Sequence, residues 1–375
     1  MRLYELIYIA ICAVPAGLVV WDVRRARSGG SLQAFRRDAI GLIGFELVAF
    51  FALLFVGLFV VPRTLSPEEG GRDGFALIRL LAWQVFVFTP LLLVALARYN
   101  RERARTFARV ECALAVGIWA IAVDAFVVEP RALEVNHHTI TSKALNRAYT
   151  IAVLADIQTD HVGAYERRAV QLAMAERPDL IVLPGDYIEA HPDTQEVEEA
   201  AFRRLFEEEG VHAPLGVYAL EGDMEEGHDW SALFAPDVER FTETRTVRVA
   251  DDLWLTGLPR VDSGDTTIDL SSRLTADGFH LVVGHAPDFA LGTVPADLLV
   301  AGHTHGGQVQ LPFYGPPFTL SEVPRAWASG RTALPSGATL VVSRGIGMER
   351  QEAPRLRFLC RPEVVILHLE PATAE

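Results

Sequence analysis

The hydrophobic pattern divides the chain into two parts of different character. In the first third, apolar runs alternate with short polar links, and the four runs are Leu6–Trp21, Ala39–Val61, Phe75–Ala97 and Cys112–Val128. The second and third runs contain 23 residues each. As helices they would be about 34 Å long, which is enough to cross a bilayer. Residues 1–130 are therefore predicted to form a transmembrane region of about four helices.

The arginines in the links predict how these helices are oriented. Five arginines follow the first run and five follow the third, whereas the link after the second has only Arg63 and Arg72 beside three acidic residues. Positively charged links stay in the cytoplasm. The multi-pass region is therefore expected to place both its ends, and the domain that follows, on the outer side of an inner (plasma) membrane. A cleaved signal peptide is the alternative for the first run, but its arginines follow the apolar residues instead of preceding them.

After Val128 the pattern changes to short apolar strands that alternate with amphipathic helices. The boundary is expected between Val128 and Thr139, with one domain over residues 135–375. Tyr165–Glu176 and Glu196–Glu209 carry apolar residues on one face and are predicted helices. The last third is rich in strand patterns, namely VRVA, LWLTGL, FHLVVG, ATLVVS and EVVILHL. These features predict an α/β domain.

The two parts also differ in charge, which limits the partners of the domain. Residues 1–130 carry 14 arginines against 11 acidic groups, so the formal net charge of −14 leaves −17 for residues 131–375. So acidic a domain is not expected to bind nucleic acid or to adhere to an anionic membrane through charge. The predicted transmembrane helices must therefore anchor the domain to the membrane. The three cysteines, Cys12, Cys112 and Cys360, predict no disulfide within the domain, where Cys360 is expected to be a packed residue rather than a nucleophile.

Side chains that can bind metals recur where the apolar strand patterns end. Asp156, Asp186, Asp223 and His285 end four such patterns. Because sites in open α/β sheets form at the carboxyl ends of the strands, these side chains are expected to converge. Carboxylates and imidazoles are common ligands of divalent metals.

The stretch LVAGHTHGGQVQLP carries the most specific signal. His303 and His305 follow a predicted strand, Asp297–Ala301, and Gly302 would let the backbone turn so that both rings converge on one point. The two glycines after His305 would leave space for a ligand. Two loop histidines without a metal are the alternative, and the four strand-end ligands favour the metal site.

In this order the motifs resemble those of the calcineurin-like metallophosphoesterases. The family pattern D-x-H, G-D, G-N-H-[DE], a lone H and G-H-x-H corresponds here to DIQ, GD, GDME, GH and GHTH. The resemblance spans roughly Thr139 to Leu369, and the end of the chain is similar to the membrane-anchored branch of the family. It implies an α/β/β/α two-sheet sandwich with metals at the strand ends.

The resemblance also implies two divalent metal ions and their ligands. The first ion would be surrounded by Asp156, Gln158, Asp186 and His305. Asp186 would bridge to the second ion, which Asp223, His285 and His303 would complete. Such a pair activates a water and stabilises phosphoryl oxygens. The implied activity is hydrolysis of a phosphoester or pyrophosphate, with Asp186, Asp223 and His303 in catalysis.

Three positions depart from the family pattern. Gln158 replaces a histidine ligand, Asp223 replaces an asparagine, and Met224 replaces the histidine thought to help the leaving group. An amide oxygen is a weaker, harder donor than imidazole, so Mn²⁺ is the favoured metal, with Mg²⁺, Fe and Zn as alternatives. A thioether cannot donate a proton. His228 and His161 are near enough in sequence to replace the missing donor in part, and His228 is the preferred candidate.

Two arginines and one apolar segment are candidates for substrate recognition. Arg344 and Arg357 could each bind a phosphate through two hydrogen bonds, with paired surface arginines as the alternative. The segment GGQVQLPFYGPPFTL could form a lip for a lipid tail, or it could simply pack a loop stiffened by proline.

The leading function is therefore a membrane-anchored, metal-dependent phosphoester or pyrophosphate hydrolase that acts outside the cytoplasm. Location favours a lipid-linked or envelope phosphate as its substrate. A metal-binding pseudoenzyme that acts as a sensor or scaffold is the alternative, favoured by Gln158 and Met224. A transporter gated by the domain would need more polar groups in the apolar runs. The oligomeric state is left open.

Overall fold

The computed structural model describes residues 71–102, 104–274, 277–350 and 353–372. The chain divides into two compact units, Met1–Val127 with Glu352–Pro354 and Val128–Gln351 with Arg355–Glu375. Of the four predicted transmembrane segments, Leu6–Trp21 and Ala39–Val61 lie outside the described residues.

The third apolar run is helical. Helix α1 (Gly71–Trp83) continues through a π-helical turn, Gln84–Phe88, into α2 (Thr89–Asn100). The π turn lies directly before Pro90, which has no N–H to donate to the regular ladder. The backbone N–H and the hydroxyl of Thr89 both donate to the carbonyl of Gln84, the hydroxyl at 2.7 Å.

The fourth run forms α3 (Arg105–Val123), followed by a π-helical turn, Asp124–Val128, and a 3₁₀ turn, Glu129–Arg131. The helix begins seven residues before the predicted Cys112, because its first two turns are polar but still helical. Within the described residues, two stretches are long and apolar enough to cross a membrane, Ile78–Asn100 and Arg105–Arg131.

The second unit contains two six-stranded sheets. The first is built from β1 (Glu134–Ser142), β2 (Tyr149–Val153), β3 (Leu180–Leu183), β4 (Val217–Leu220), β5 (Val238–Phe241) and β12 (Glu363–Pro371). Its strand order is β1-β12-β2-β3-β4-β5. Strands β2 to β5 are parallel, β12 is antiparallel to β2, and β1 is parallel to β12.

The second sheet is built from β6 (Arg245–Ala250), β7 (Leu253–Gly257), β8 (Phe279–Val283), β9 (Leu298–Ala301), β10 (Gly330–Ala333) and β11 (Thr339–Val342). Its order is β10-β11-β9-β8-β7-β6. The four central strands are parallel, and the two edge strands are antiparallel to their neighbours.

The main core lies between the two sheets. Ile151, Val182 and Leu281 are fully buried there. All four residues of β3 are apolar and buried because both faces of its sheet are covered. Helices α4 (Ala164–Ala175) and α5 (Gln195–Glu208) cover the outer face of the first sheet.

The outer face of the second sheet is covered by loops and single helical turns. These turns are α6 (Arg260–Ser263) and the 3₁₀ segments Pro287–Leu291 and Arg325–Trp327. The two-sheet α/β fold is confirmed, but the second helical layer of the expected α/β/β/α sandwich is much thinner than predicted. The five strand patterns and the two predicted helices are present, each helix shifted by one residue. Strands β5 and β10 were not expected.

The aromatic cluster beneath α5 provides a test of this packing. Phe202 is fully buried, with ring centroids 5.8 Å from Tyr187 and 5.6 Å from Phe234. Phe202→Ala is expected to lower the free energy of unfolding of the domain by about 3–5 kcal/mol. Val197 lies on the same helix but is 63 % exposed, so Val197→Ala should change it by less than about 0.5 kcal/mol. Urea unfolding of the full chain in detergent measures both, and equal losses would contradict the buried cluster.

Candidate metal centre

The seven predicted ligands lie on loops at the carboxyl ends of parallel strands from both sheets. Asp156 and Gln158 follow β2, Asp186 follows β3, Asp223 follows β4, His285 follows β8, and His303 and His305 follow β9. The strand ends of the two sheets meet at one edge of the sandwich. The structure therefore brings all seven together.

One group of donors is formed by Asp223, His285 and His303, whose ligand atoms lie within 4.8 Å of one another. The Nδ1 atom of His303 is 2.9 Å from Oδ2 of Asp223. The Nε2 atom of His285 is 3.5 Å from the same oxygen. These atoms surround one point, as the ligands of a single cation do.

The second group is formed by Asp156, Asp186 and His285, again within 4.8 Å. The Nε2 atom of His285 is 3.4 Å from Oδ2 of Asp186. The fully buried carboxylate of Asp156 accepts the backbone N–H of His303, at 2.9 and 3.0 Å from its two oxygens. His285 thus lies between the two groups.

The amide of Gln158 is oriented by two acidic neighbours. Its Nε2 donates to Glu189 at 2.9 Å and to Glu349 at 3.4 Å. Its Oε1 atom is left in close contact with Nε2 of His305. An amide binds a metal through oxygen, so this orientation directs the useful atom of Gln158 towards the centre. Burial raises the pKa of Glu189 to about 7, and burial with the charge of Glu189 raises the pKa of Glu349.

Five of the seven predicted ligands have a left-handed backbone. The φ angles are 48° at Asp156, 31° at Gln158, 56° at Asp186, 67° at His303 and 47° at His305. Non-glycine residues rarely adopt this conformation, and each instance costs about 1–3 kcal/mol. Such strain persists only where the surroundings impose it, and its concentration at these five positions marks a functional site.

Glu225 was not among the predicted site residues, although it belongs to the quoted GDME motif. Its buried carboxylate accepts the backbone N–H groups of Asp186 and Gly222, both at 2.9 Å, and of Tyr187 at 2.8 Å. It therefore fastens the loop after β3 to the loop after β4. Burial, together with the negative charge of Asp186, raises the pKa of Glu225 to about 8.

The glycines of GHTHGG have different roles from those expected. A Cβ atom at Gly302 would lie 2.7 Å from Oδ1 of Asp156, so this position needs glycine because of the close approach. Gly306 faces Arg344 and Cys360, and Gly307 faces Pro316. The protein itself fills the space that the sequence suggested for a ligand, and that expectation was wrong.

Burial and neighbouring charges shift the pKa values of the carboxyl and imidazole groups of the centre. Burial, opposed by His285 and reinforced by Asp186, raises the pKa of Asp156 to about 6. Burial would lower the pKa of His303, but the carboxylate of Asp223 raises it to about 9. His305 differs, because burial and the positive charge of Arg357 hold its pKa well below the usual range. His305 is therefore a neutral imidazole, the form that binds metals.

The guanidinium groups of Arg344 and Arg357 bind groups of the protein rather than facing open space. The guanidinium of Arg344 pairs with Glu363 at 2.6 Å and with Glu134 at 2.5 Å. Arg357 is fully buried, and it donates to the main-chain carbonyls of Arg344, Gly345, Gly347 and Cys360. Their contacts do not support the substrate role expected for them.

The side chains near Met224 show what surrounds the position of the missing histidine. The backbone N–H of Met224 donates to Asp186 at 2.9 Å. His228 is exposed on the same loop, and the exposed ring of His161 pairs with Glu198 at 3.1 Å. Arg260 of α6, which the sequence did not single out, lies beside Asp223, with Nη1 3.4 Å from its Oδ1 atom and Nη2 paired with Glu226.

The donor set fits divalent cations. Three carboxylates, three imidazoles and one amide oxygen supply oxygen and nitrogen ligands, and the carboxylates of Asp156 and Asp186 are buried where a cation would offset their desolvation. The residue groups are therefore plausible metal-binding groups.

Comparison with known proteins agrees with this centre. Residues 149–307 match the calcineurin-like phosphoesterases. The chain is 33 % identical over 267 residues to the uncharacterized metallophosphoesterase YkuE of Bacillus subtilis (strain 168), covering 65 % of this chain and 87 % of that protein. It is 26 % identical to the phosphodiesterase YaeI of Escherichia coli (strain K12), covering 64 % of this chain and 90 % of that protein.

Among solved structures, the 5′-nucleotidase precursor from Thermus thermophilus is similar with a TM-score of 0.33 and 14 % identity, over 60 % of this chain and 54 % of that one. The relationship to YkuE extends over most of that protein. This chain belongs to the calcineurin-like phosphoesterase family, whose members are metal-dependent hydrolases of phosphoesters.

Proposed function

We propose that the protein is a membrane-anchored, metal-dependent hydrolase of phosphoesters or pyrophosphates. The observation that carries this proposal is the pair of three-donor groups that share His285. The three carboxylates and two imidazoles of these groups are costly to bring together in a domain unless their charges are compensated. Bound divalent cations would provide that compensation.

The proposed ligand sets follow the positions of the donors. Asp156, Gln158, Asp186 and His305 would hold one ion, and Asp186, Asp223, His285 and His303 the other. Asp186 can serve both because a carboxylate has two oxygens. When bound, such ions activate water at neutral pH and stabilise negative charge on phosphoryl oxygens. The amide oxygen and the three carboxylates favour Mn²⁺, with Mg²⁺, Fe and Zn as alternatives.

The side chains around the donors suggest which substrates suit the centre. Arg260 is a partly exposed cation beside Asp223, and we propose that this residue, rather than Arg344 or Arg357, neutralises a phosphoryl oxygen. Met224 can donate no proton to a leaving group. A leaving group of low pKa, as in a pyrophosphate, therefore suits the site best.

The proposed position of the domain at the membrane narrows the class of substrate further. The two apolar stretches support anchoring in an inner membrane, and the arginine-rich links support an outward-facing domain. A lipid-linked or envelope phosphate is therefore the proposed substrate, and nucleic acid is disfavoured by the charge of −17 on residues 131–375.

A metal-binding pseudoenzyme is the second candidate. Gln158 and Met224 favour it, because one weakens a ligand and the other removes a proton donor. The strained backbone at five ligands opposes it, since a scaffold that only binds a partner does not need this geometry.

Removal of the shared ligand tests the metal centre. Asp186→Ala is expected to remove the metal pair and to leave less than about 1 % of the hydrolysis, because this carboxylate serves both ions. Metal analysis of the purified full chain measures the first effect. A Mn²⁺-supplemented screen of phosphomonoesters, phosphodiesters and nucleotide-linked lipids measures the second. Asp237→Ala, at an exposed aspartate, is the control. Full metal content in Asp186→Ala would refute the proposed ligand set.

Restoring the family residues separates the enzyme from the pseudoenzyme. Met224→His should hardly change the rate with a pyrophosphate, but should raise it up to about 10²-fold for an alkyl phosphomonoester, whose leaving group needs a proton. Gln158→His should shift the metal preference towards iron or zinc. Steady-state rates and metal competition measure these effects. The enzyme proposal would be wrong if the wild-type protein binds two metals without turnover and becomes active only with both substitutions. The natural protein would then be a metal-binding pseudoenzyme.

The orientation in the membrane has its own test. An alkaline phosphatase reporter fused after residue 375 should be active outside the cytoplasm, and one fused near residue 30 should not, because the arginine-rich links are expected inside. Reporter activity in intact cells, normalised to the amount of fusion protein, measures this. The opposite pattern would place the domain in the cytosol.

A further inference from the structure

Among the described residues of the α/β domain, after the apolar helices, exposed large apolar side chains are concentrated on two neighbouring loops beside the metal centre. Phe313 is fully exposed, Tyr314 and Leu359 are more than half exposed, and Leu311 is 41 % exposed. We call these four residues the apolar tip. Single exposed apolar residues are common, but a group of them marks a surface that meets an apolar partner.

Backbone hydrogen bonds bring the two loops together and give the tip a fixed shape. The N–H of Gln310 donates to the carbonyl of Phe358 at 2.8 Å, and the N–H of Phe358 donates to Gln308 at 2.9 Å. Leu311 and Gly315 exchange two bonds of 2.9 Å, which close a tight turn with Phe313 and Tyr314 at its end. These backbone hydrogen bonds therefore fix the conformation of the apolar tip.

The tip adjoins the metal centre. The loop that carries it begins at His305, only six residues before Leu311. On the other side of the turn, the carbonyl of Leu320 lies 2.9 Å from Nε2 of His303. Whatever covers the tip will also lie next to the metal ligands.

Glu129 connects the tip to one end of an apolar stretch. Its buried carboxylate accepts the backbone N–H groups of Leu359, at 2.8 Å, and of Cys360. Glu129 lies two residues before the end of Arg105–Arg131, the stretch proposed to cross the membrane. If the stretch crosses the membrane, Glu129 near its end lies close to the membrane surface, and so does the loop that is bonded to it.

The chemistry of the tip matches the lipid–water interface. Phenylalanine and leucine enter the acyl boundary, whereas tyrosine keeps its hydroxyl at the level of the head groups. The guanidinium of Arg325 lies 4.1 Å above the ring of Tyr314, where it can meet a lipid phosphate. Because the domain is strongly acidic, apolar contact rather than charge must supply the attraction.

We propose that the apolar tip inserts into the interfacial layer of the bilayer and holds the metal centre against phosphates at head-group depth. The inference rests on the proposed membrane anchoring, and it identifies the substrate class of the centre as a phosphate borne by a membrane lipid. A soluble phosphate would need no such surface beside the ligands.

Depth-dependent fluorescence quenching tests this proposal without reference to turnover. The full chain is placed in phosphatidylcholine nanodiscs that carry bromine either near the head groups or deep in the acyl chains. Phe313→Trp adds a fluorophore at the tip, and Val197→Trp adds one at a 63 % exposed position on α5. Native Trp119, near the middle of Arg105–Arg131, reports insertion of that stretch when wild type is compared with Trp119→Phe.

The emission added by Phe313→Trp should be quenched about twofold or more by shallow bromines, and less by deep ones, because aromatic side chains settle at the interface. The emission added by Val197→Trp should be unaffected, and that of Trp119 should be quenched by deep bromines. Quenching of Trp119 without quenching at position 313 would refute the tip but leave the anchoring intact. No quenching of Trp119 would refute both. A blue shift at position 313 without quenching would show that protein, such as a second copy of the chain, covers the tip.

Discussion

The metal centre depends on the compensation of three carboxylates in the domain interior. Asp156 and Asp186 are almost completely enclosed, and burial raises the pKa of both. For Asp223 burial acts in the same direction, but the charges and hydrogen bonds of His303 and His285 hold its pKa well below the usual range. The strand ends, the strained turns and Glu225 all serve to bring positive groups and backbone N–H donors to these oxygens. A carboxylate left without them would cost several kcal/mol.

Under the proposed ligand set, this constraint relates two positions that are expected to differ from the family motifs, Gln158 and Asp223. Gln158 removes a group that can carry positive charge, and Asp223 adds a negative one, so both changes make the centre more acidic. Arg260, 3.4 Å from Asp223, offsets part of the added charge. Around Gln158 the acidic neighbours Glu189 and Glu349 have raised pKa values, so each can be a neutral acid while it orients the amide.

The sequence predicts which side chains come together at the candidate centre, but it does not predict the groups that hold them in place. Asp156, Asp186, Asp223 and His285 could be found because each ends an apolar run, and strand ends of parallel sheets converge. Nothing in that pattern distinguishes a buried arginine from one in an open site. Arg357 was therefore taken for a substrate residue, whereas its guanidinium holds four main-chain carbonyls together. The two outer layers show the same limit: α5 has a clear apolar face, whereas the turns over the second sheet are too short to have a period.

The segment from Arg357 to Cys360 shows how the centre is connected to the end of the apolar stretch. Arg357 lies 3.4 Å from Nδ1 of His305, and the thiol of Cys360 donates to the carbonyl of His305 at 3.3 Å. At its other side, the backbone of Cys360 binds the carboxylate of Glu129. The packed role expected for Cys360 is thus also a connecting one, because this residue contacts both a predicted metal ligand, His305, and Glu129 near the end of the stretch. If the substrate is a membrane-linked phosphate, as proposed, this short path of buried contacts would hold the ligands at a fixed distance from the end of the stretch.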